Sequence, residues 1–441
     1  MSNNPPSSNL DTHRRRRAEL VNQIGTNDIV IVPTSSEQPR NGDVVYQFRP
    51  DSDFFYLSGF PEPEAVLVIC PGRPQGEYVL FCREKDALRE LWDGRRAGLE
   101  GAVGLYGADD AFPIEDLGDI LPGMMEEREK VFTNVGRYPT FDAQVLSWLT
   151  KIKQEARIGK HAPYELVDLS HLLHEQRLFK RKAEIACMRK AAKMSAAGHT
   201  RAMQVCRPGM YEYQVQAEME CEFRKAGSPY NAYPSIVAGG DNACILHYTE
   251  NDQILKDGDL LLIDAGAEYQ CYAADISRTF PVNGKFSPEQ VAIYEIVLAA
   301  QRAAFDKCGP GHTWNEPHDA AVQVISQGLL DEGLLTGSLA EVLESQAYNR
   351  FYMHRTGHWL GMDVHDVGDY QIDEHWRELE PGMVFTVEPG IYISAAEDVD
   401  RRWHNIGIRI EDNVLVRKEG IEVLTEQAPK TIADIEALMA G

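Results

Sequence analysis

The sequence predicts two domains of mixed class, a smaller α/β domain over residues 1–176 and a strand-centred α+β domain over residues 177–441. Three observations lead there. The chain is 441 residues long, more than one ordinary hydrophobic core accommodates. Its first part alternates short β-rich runs with helical stretches. Its second part repeats apolar strands, each interrupted by an acid.

In the first part, "NDIVIVP" (27–33), "EAVLVIC" (64–70) and "EYVLFCR" (77–83) read as strands, and "FDAQVLSWLTKIKQEA" (141–156) reads as a helix. Residues 1–10 read as a disordered tail, and His13–Arg17 as the exposed start of a helix. At "RLFKRKAE" (177–184) a charged, alanine-rich helix sets in and runs to "CRPGM", where Pro208 and Gly209 stop it. The domain boundary is placed at its start.

In the second part, "DGDLLLIDAG" (257–266) opens on an Asp-Gly turn and continues through Leu260–Ile263, apolar on both faces, as a buried strand. "YQCYAADISRTF" (269–280) follows closely enough to form a hairpin with it. "SPEQVAIYEIVLAAQRAAF" is a helix, with Ser287 and Gln290 as a capping box, Pro288 in the first turn, and a stripe of Ile293, Val297, Ala300 and Ala304. "EPGMVFTVEPGIYI" (380–393) and "GIRIEDNVLV" (407–416) are two further strands.

A formal net charge of −24 argues against nucleic acid or an anionic membrane as partner, because both call for a basic patch. No apolar run approaches the length needed to cross a bilayer, and the basic N-terminal stretch lacks the apolar segment of a secretory signal. Eight scattered cysteines without a C-x-x-C pair fit a reducing compartment, so the expected location is cytoplasmic.

Asp264 ends "LLLID", Asp275 sits in "YAADISRTF", Glu388 in "VFTVEPGIYI" and Glu411 in "GIRIED". Each alone has an ordinary explanation. Asp264 can start a turn, Asp275 can pair with Arg278, Glu411 with Arg409, and Glu388 can lie at a bulge before Pro-Gly. Together they are too many for two arginines. Burying ionised carboxylates repeatedly costs several kcal/mol each unless a counter-charge is supplied, and a pair of divalent cations supplies it most simply. Carboxylates with one imidazole suit Mn²⁺, Co²⁺, Fe²⁺ or Zn²⁺, and a close pair of such ions is hydrolytic machinery.

The imidazole comes from "MHRTGHWLGMDVHDVG" (353–368), which holds His354, His358 and His365. His354 and His358 have the spacing of helical zinc ligands, but Arg355 stands where a peptidase glutamate would, and Gly357 and Gly361 disfavour a helix. Read as extended chain, His354 and His358 share a face and His365 takes the other. A glycine-rich loop with satisfied histidines is the alternative.

The ordered set Asp264, Asp275, His358, Glu388 and Glu411, with its flanking motifs, closely resembles the catalytic domain of the pita-bread metallopeptidases, and within them the Xaa-Pro aminopeptidases. "RPDSDFFYLSGFPEPEAVLVI" and "NACILHYTEND" extend the likeness over nearly the whole chain. The resemblance implies a pita-bread C-terminal domain with a curved antiparallel sheet covered by helices, and two divalent cations, usually Mn²⁺. In that scheme Asp264 binds one metal, Asp275 and Glu411 bridge, and His358 and Glu388 bind the other. Glu388 also moves the proton. His247, His354 and His365 face the substrate, and Arg409 stands beside the site. Asp43 is placed near the substrate's α-amine, and Trp92 against a neighbouring subunit's active site. The implied activity is release of the first residue from peptides with proline second, by a homo-oligomer (dimer or tetramer). Some relatives have small residues after the first histidine. Arg355 in that place implies either a preference for carboxylate-bearing substrates or a merely solvent-exposed side chain, and a substrate role for Arg377 is also considered. The rivals are a prolidase acting on Xaa-Pro dipeptides, a methionine aminopeptidase, and a non-catalytic binding module on the same fold.

Overall fold

The computed structural model describes residues 7–441, with side chains from residue 10 onward. The chain divides into two compact units, one ending at His174 and the other beginning at Glu175.

The N-terminal unit is built on a six-stranded mixed sheet. Its strand order is Asp110–Pro113, Tyr78–Cys82, Val66–Ile69, Ile29–Pro33, Lys130–Thr133, Glu165–Asp168. The three central strands pair antiparallel, while the outer pairings are parallel. Helices Leu117–Met125 and Pro139–Gln154 close a core of Ile29, Ile31, Val68, Phe81 and Leu121. The three strands and the helix read from the sequence here all occur.

The N-terminal helix corrects two expectations. It begins at Ser7, so residues 7–10 are helical and not part of a tail; residues 1–6 of that tail lie outside the described residues. His13, Arg16 and Arg17 are buried, although the basic run had read as exposed. The cause is the C-terminus of helix Ser52–Ser58, whose last carbonyls have no partner within the helix. His13 Nδ1 donates to Tyr56 O at 2.9 Å, Arg16 to the same carbonyl at 3.0 Å, and Arg17 to Leu57 O at 2.7 Å. Both guanidiniums also stack on rings, Arg16 on Tyr56 and Arg17 on Tyr78, each 3.8 Å from the centroid. Cations at the negative end of a helix, with their stems covered, need no water.

The C-terminal unit has a layer of short antiparallel ladders backed by helices. Ile236–Gly239, Leu260–Asp264 and Ser277–Pro281 form one ladder, with Asp264 opposite both Ile236 and Ser277. Val384–Val387 pairs with Asp412–Val416, and Gly390–Ile393 with Ile406–Arg409. The two long strands expected at 380–393 and 407–416 are therefore each broken in two, at Glu388-Pro389 and at Ile410-Glu411. Proline has no N–H for a ladder, and each broken strand changes partner there. The segment 269–280 also divides: Tyr272–Ala273 turns back on Ala267–Tyr269, and only Ser277–Pro281 forms the hairpin with Leu260–Asp264.

Helix Pro288–Phe305 carries the expected capping box, and its stripe Ile293, Val297, Ala300 and Ala304 is buried against Leu261, Ile263, Phe280 and Ile408. The helix read from residue 177 is two helices, Ser170–Leu178 and Lys182–Val205. The break turns Arg177 and Lys180 inward, where both pair with the buried Asp366 at 2.6 and 2.8 Å.

Two changes test the N-terminal packing. Gly59 caps helix Ser52–Ser58 at φ 66°, and a Cβ there would lie 2.6 Å from His13 Nε2. Gly59→Ala is expected to destabilise by about 1–3 kcal/mol in urea unfolding. Burial, reinforced by Arg16, depresses the His13 pKa from 6.5 to about 3. Between those values the unfolded chain holds the proton and the folded one does not. Stability should therefore fall as the pH drops from 6.5 toward 3, with a slope approaching about 1.4 kcal/mol per pH unit from this group, and His13→Gln should flatten that slope.

Candidate active site

Strand alternation places the acids. Ile263, Phe385, Val387, Ile391, Ile408 and Ile410 all pack into the helix-backed core. Their neighbours Asp264, Thr386, Glu388, Tyr392, Arg409 and Glu411 must then point to the opposite face. That face is the floor of a cavity of about 1120 Å³ whose lining includes Asp264, Asp275, His358, Glu388, Arg409 and Glu411. Acids scattered over 148 positions of sequence meet there, Asp264 by strand alternation and Asp275, Glu388 and Glu411 from the gaps between consecutive strands.

Ligand atoms of Asp275, His358 and Glu411 lie within 4.8 Å of one another. His358 Nε2 stands 3.4 Å from Asp275 Oδ2 and 3.7 Å from Glu388 Oε1. Its Nδ1 lies 3.0 Å from Trp359 O, a donor bond that leaves Nε2 facing the acids and able to bind a metal. The ring is positioned through its backbone: Thr386 N donates to His358 O at 3.0 Å and His358 N to Thr386 Oγ1 at 3.1 Å. Asp264 joins the group through Tyr233, whose hydroxyl lies 2.6 Å from Asp264 Oδ1 and also touches Asp275. Asn413 bonds both the N–H and the carbonyl of Asp275, fixing that residue where regular pairing stops.

The pairings weighed for the isolated acids do not occur. Arg278 pairs with Asp412 at 2.8 Å, not with Asp275, and Lys430 joins it at 2.7 Å. Arg409 pairs with Asp264 at 2.7 Å, while Glu411 accepts the Ser277 hydroxyl at 2.7 Å and has no ion pair among the described residues. Adjacent acids thus have opposite surroundings. Asp412 is buried, yet Arg278 and Lys430 bring its pKa below the usual value; Glu411, buried beside Asp275 and Glu388, is pushed well above it. Burial also raises Asp264, and raises Glu388 to about 7. Against its burial, Asp275 holds His358 protonated to about 9 and is itself lowered by it. With four carboxylates facing one guanidinium, three of them and His358 shift toward holding protons. This is the behaviour of a donor set suited to cations, and four carboxylates with one imidazole nitrogen suit divalent transition metals.

The three histidines do not divide as an extended chain would divide them. Residues 353–368 form no regular strand beyond a bridge from Trp359 to Phe385. The buried Asp366 draws the loop inward, and the His365 ring meets that of His358 edge-on, with centroids 4.3 Å apart. His354 stands on the other side. Its Nδ1 donates to Arg355 O at 2.8 Å, so Nε2 accepts from Tyr392 OH at 2.8 Å. Burial and Arg409 lower its pKa to about 3, keeping it neutral. His247 lines the same cavity and is exposed.

Asp43 and Trp92 belong to the N-terminal unit. Asp43 lies exposed in the turn between Pro39–Asn41 and Val44–Val45, and Trp92 is 86% exposed on helix Ala87–Asp93. Arg377 is buried and paired with Glu175 at 2.9 Å, away from the cavity lining. Tyr233, Ser277, Tyr392 and Asn413 escaped sequence reasoning. Their hydroxyls and amide are neutral and break no apolar pattern.

This fold and site define a metal-dependent hydrolase class. Residues 186–418 match the model of metallopeptidase family M24, and residues 13–132 match that of the aminopeptidase P N-terminal domain. An Xaa-Pro aminopeptidase of Haemophilus influenzae is 44% identical over 424 residues, 96% of each chain. One of Escherichia coli is 43% identical over 429 residues, 97% of each. The structure of Pseudomonas aeruginosa aminopeptidase PepP superposes with a TM-score of 0.97 at 57% identity, covering 99% of this chain and 98% of that one. A Zn-substituted E. coli aminopeptidase P in complex with product superposes at 0.95 with 42% identity, covering 98% of both. The chain belongs to metallopeptidase family M24 and, within it, to the Xaa-Pro aminopeptidases, and its C-terminal unit has the pita-bread fold.

Gly357 tests how His358 is set. A Cβ at this position would lie 2.0 Å from Thr386 O, so only glycine lets the histidine segment run against strand Val384–Val387. Gly357→Ala is expected to cost about 1–3 kcal/mol in thermal unfolding and to weaken divalent-cation affinity measured by calorimetry.

Proposed function

We propose that the cavity floor holds two divalent cations, Mn²⁺ foremost, through Asp264, Asp275, His358, Glu388 and Glu411, and that the enzyme removes the first residue from peptides with proline second. The observation that carries this reading is the mutual approach of Asp275, His358 and Glu411 within 4.8 Å, on a buried face with an excess of negative charge. Bound there, the cations supply the positive charge that eases deprotonation of water and polarises the scissile carbonyl.

The protein's own groups do the rest. Glu388, at the cavity floor, takes a proton from attacking water and passes it to the proline nitrogen as that amine leaves. His247 and His365, exposed at the cavity wall, offer N–H donors to the substrate backbone and to the developing oxyanion. Neutral His354, fixed by Tyr392, contributes an apolar ring edge. Such a site suits an Xaa-Pro bond, a tertiary amide with no N–H to recognise and a proline whose φ is already fixed. The volume of about 1120 Å³ lies at the upper end for ligand pockets and leaves room for chain beyond proline. Asp43 toward the α-amine, Trp92 at a subunit contact, a homo-oligomer and a cytoplasmic setting complete the reading.

After saturation with Mn²⁺, elemental analysis should find two ions per chain in the wild type and loss of bound metal in Glu411→Ala, which should also lose activity. Hydrolysis by that variant would refute its role. Chelation should inactivate the wild type and Mn²⁺ restore it. Tripeptides of the Arg-Pro-Pro kind should be turned over, and cleavage of Gly-Pro alone would assign a prolidase instead.

A further inference from the structure

The cavity contains a second guanidinium. Arg409 is committed, its three nitrogens bonded to Ser277, Tyr392 and Asp264. Arg355 is exposed and engages no carboxylate among the described residues. Its Nη2 donates to Asn315 Oδ1, and the Asn315 amide is oriented by its own bond to Asp319 at 2.7 Å. The guanidinium carbon stands 5.3 Å over the ring of Trp376, which also lines the cavity. Trp376 ends a hairpin, Gln371–Ile372 with His375–Trp376, whose turn residues Asp373 and Glu374 both take positive φ. The next residue, Arg377, holds this hairpin down through Glu175 and through its carbonyl, which accepts from Trp314 N at 2.8 Å. Arg355 is therefore braced on one edge and one face while its remaining N–H groups stay free for a ligand.

We propose that Arg355, with Trp376 and Asn315 as its braces, is a specificity residue that binds a carboxylate of the peptide on the leaving-group side of the scissile bond. This rests on the peptidase reading above. Charge sets the direction. The substrate's α-ammonium is repelled by Arg355, so the carboxylate-bearing remainder of the peptide falls to the arginine. Two sources share this chemistry, the C-terminal carboxylate of a short peptide and an acidic side chain at the third residue.

Three peptides separate them: Ala-Pro-Ala, its C-terminal amide, and Ala-Pro-Asp amide, each with the Mn²⁺-loaded wild type and with Arg355→Gln. The wild type should use at least one carboxylate-bearing peptide with a KM lower than that of the neutral amide by about fivefold, the difference lying in KM rather than kcat. The ratio should shrink at high salt and vanish in Arg355→Gln. Preference for Ala-Pro-Ala alone identifies the C-terminus, and a comparable gain with Ala-Pro-Asp amide identifies the side chain. Equal KM for all three in the wild type, or a ratio that survives in the variant, overturns the proposal. Cleavage of none of them by the wild type overturns the peptidase reading and this inference with it.

Discussion

Four carboxylates share one buried face with a single guanidinium, and the rest of the C-terminal unit is arranged around that imbalance. Two like charges 4 Å apart at a protein-like screening repel by about 4 kcal/mol, and each carboxylate has also lost its water. Nothing in a folded chain sustains that without positive charge or protons. Glu411, Glu388 and His358 all shift toward holding protons, whereas Asp412, one residue from Glu411 but paired with Arg278 and Lys430, does not. The contrast separates an acid whose charge the fold neutralises from one whose charge it does not.

The arrangement needs no special backbone beyond the breaks in its strands. A strand that keeps Ile408 and Ile410 on the helices must turn Arg409 and Glu411 away from them. The same holds for Phe385 and Val387 against Thr386 and Glu388. Breaking each pair of strands at its acid lets short ladders surround one space rather than lie flat. Packing energy from the apolar face therefore holds the acids in position, and the stability of the helix layer and the geometry of the site are one property.

This is why the acids were legible in the sequence and their supports were not. A charge inside "LLLID" or "GIRIED" violates the pattern of its own strand, and the violation is visible without coordinates. Tyr233, Ser277 and Tyr392 violate nothing; a tyrosine or serine in a strand-rich segment is ordinary, and only the chain's return places the hydroxyls of Tyr233 and Ser277 on acids and that of Tyr392 on His354 and Arg409. The errors went the other way. His13, Arg16 and Arg17 looked solvated because composition cannot reveal that carbonyls at the end of a helix forty or more residues away will accept their hydrogen bonds. The histidine loop was misread because Asp366, whose pairing with Arg177 and Lys180 bends it, is an ordinary loop residue until the helix break at residue 180 is known.

Arg409 shows how the acid floor and the imidazole wall come to act as a unit. Its Nη2 holds Asp264, its Nε reaches Ser277 Oγ, which donates to Glu411, and its Nη1 reaches Tyr392 OH, which donates to His354. Three separate directions from one planar group are required, and an ammonium on a flexible stem does not fix them. The chain Arg409–Tyr392–His354 also explains why His354 stays neutral: an imidazole that must accept at Nε2 cannot carry a proton there. A proton at that nitrogen would turn the Tyr392 hydroxyl away and loosen the guanidinium that sets Asp264 and Glu411. The tautomer of His354, whose Nδ1 also stands 3.9 Å from Glu388 Oε2, is thus tied to the position of the acids themselves.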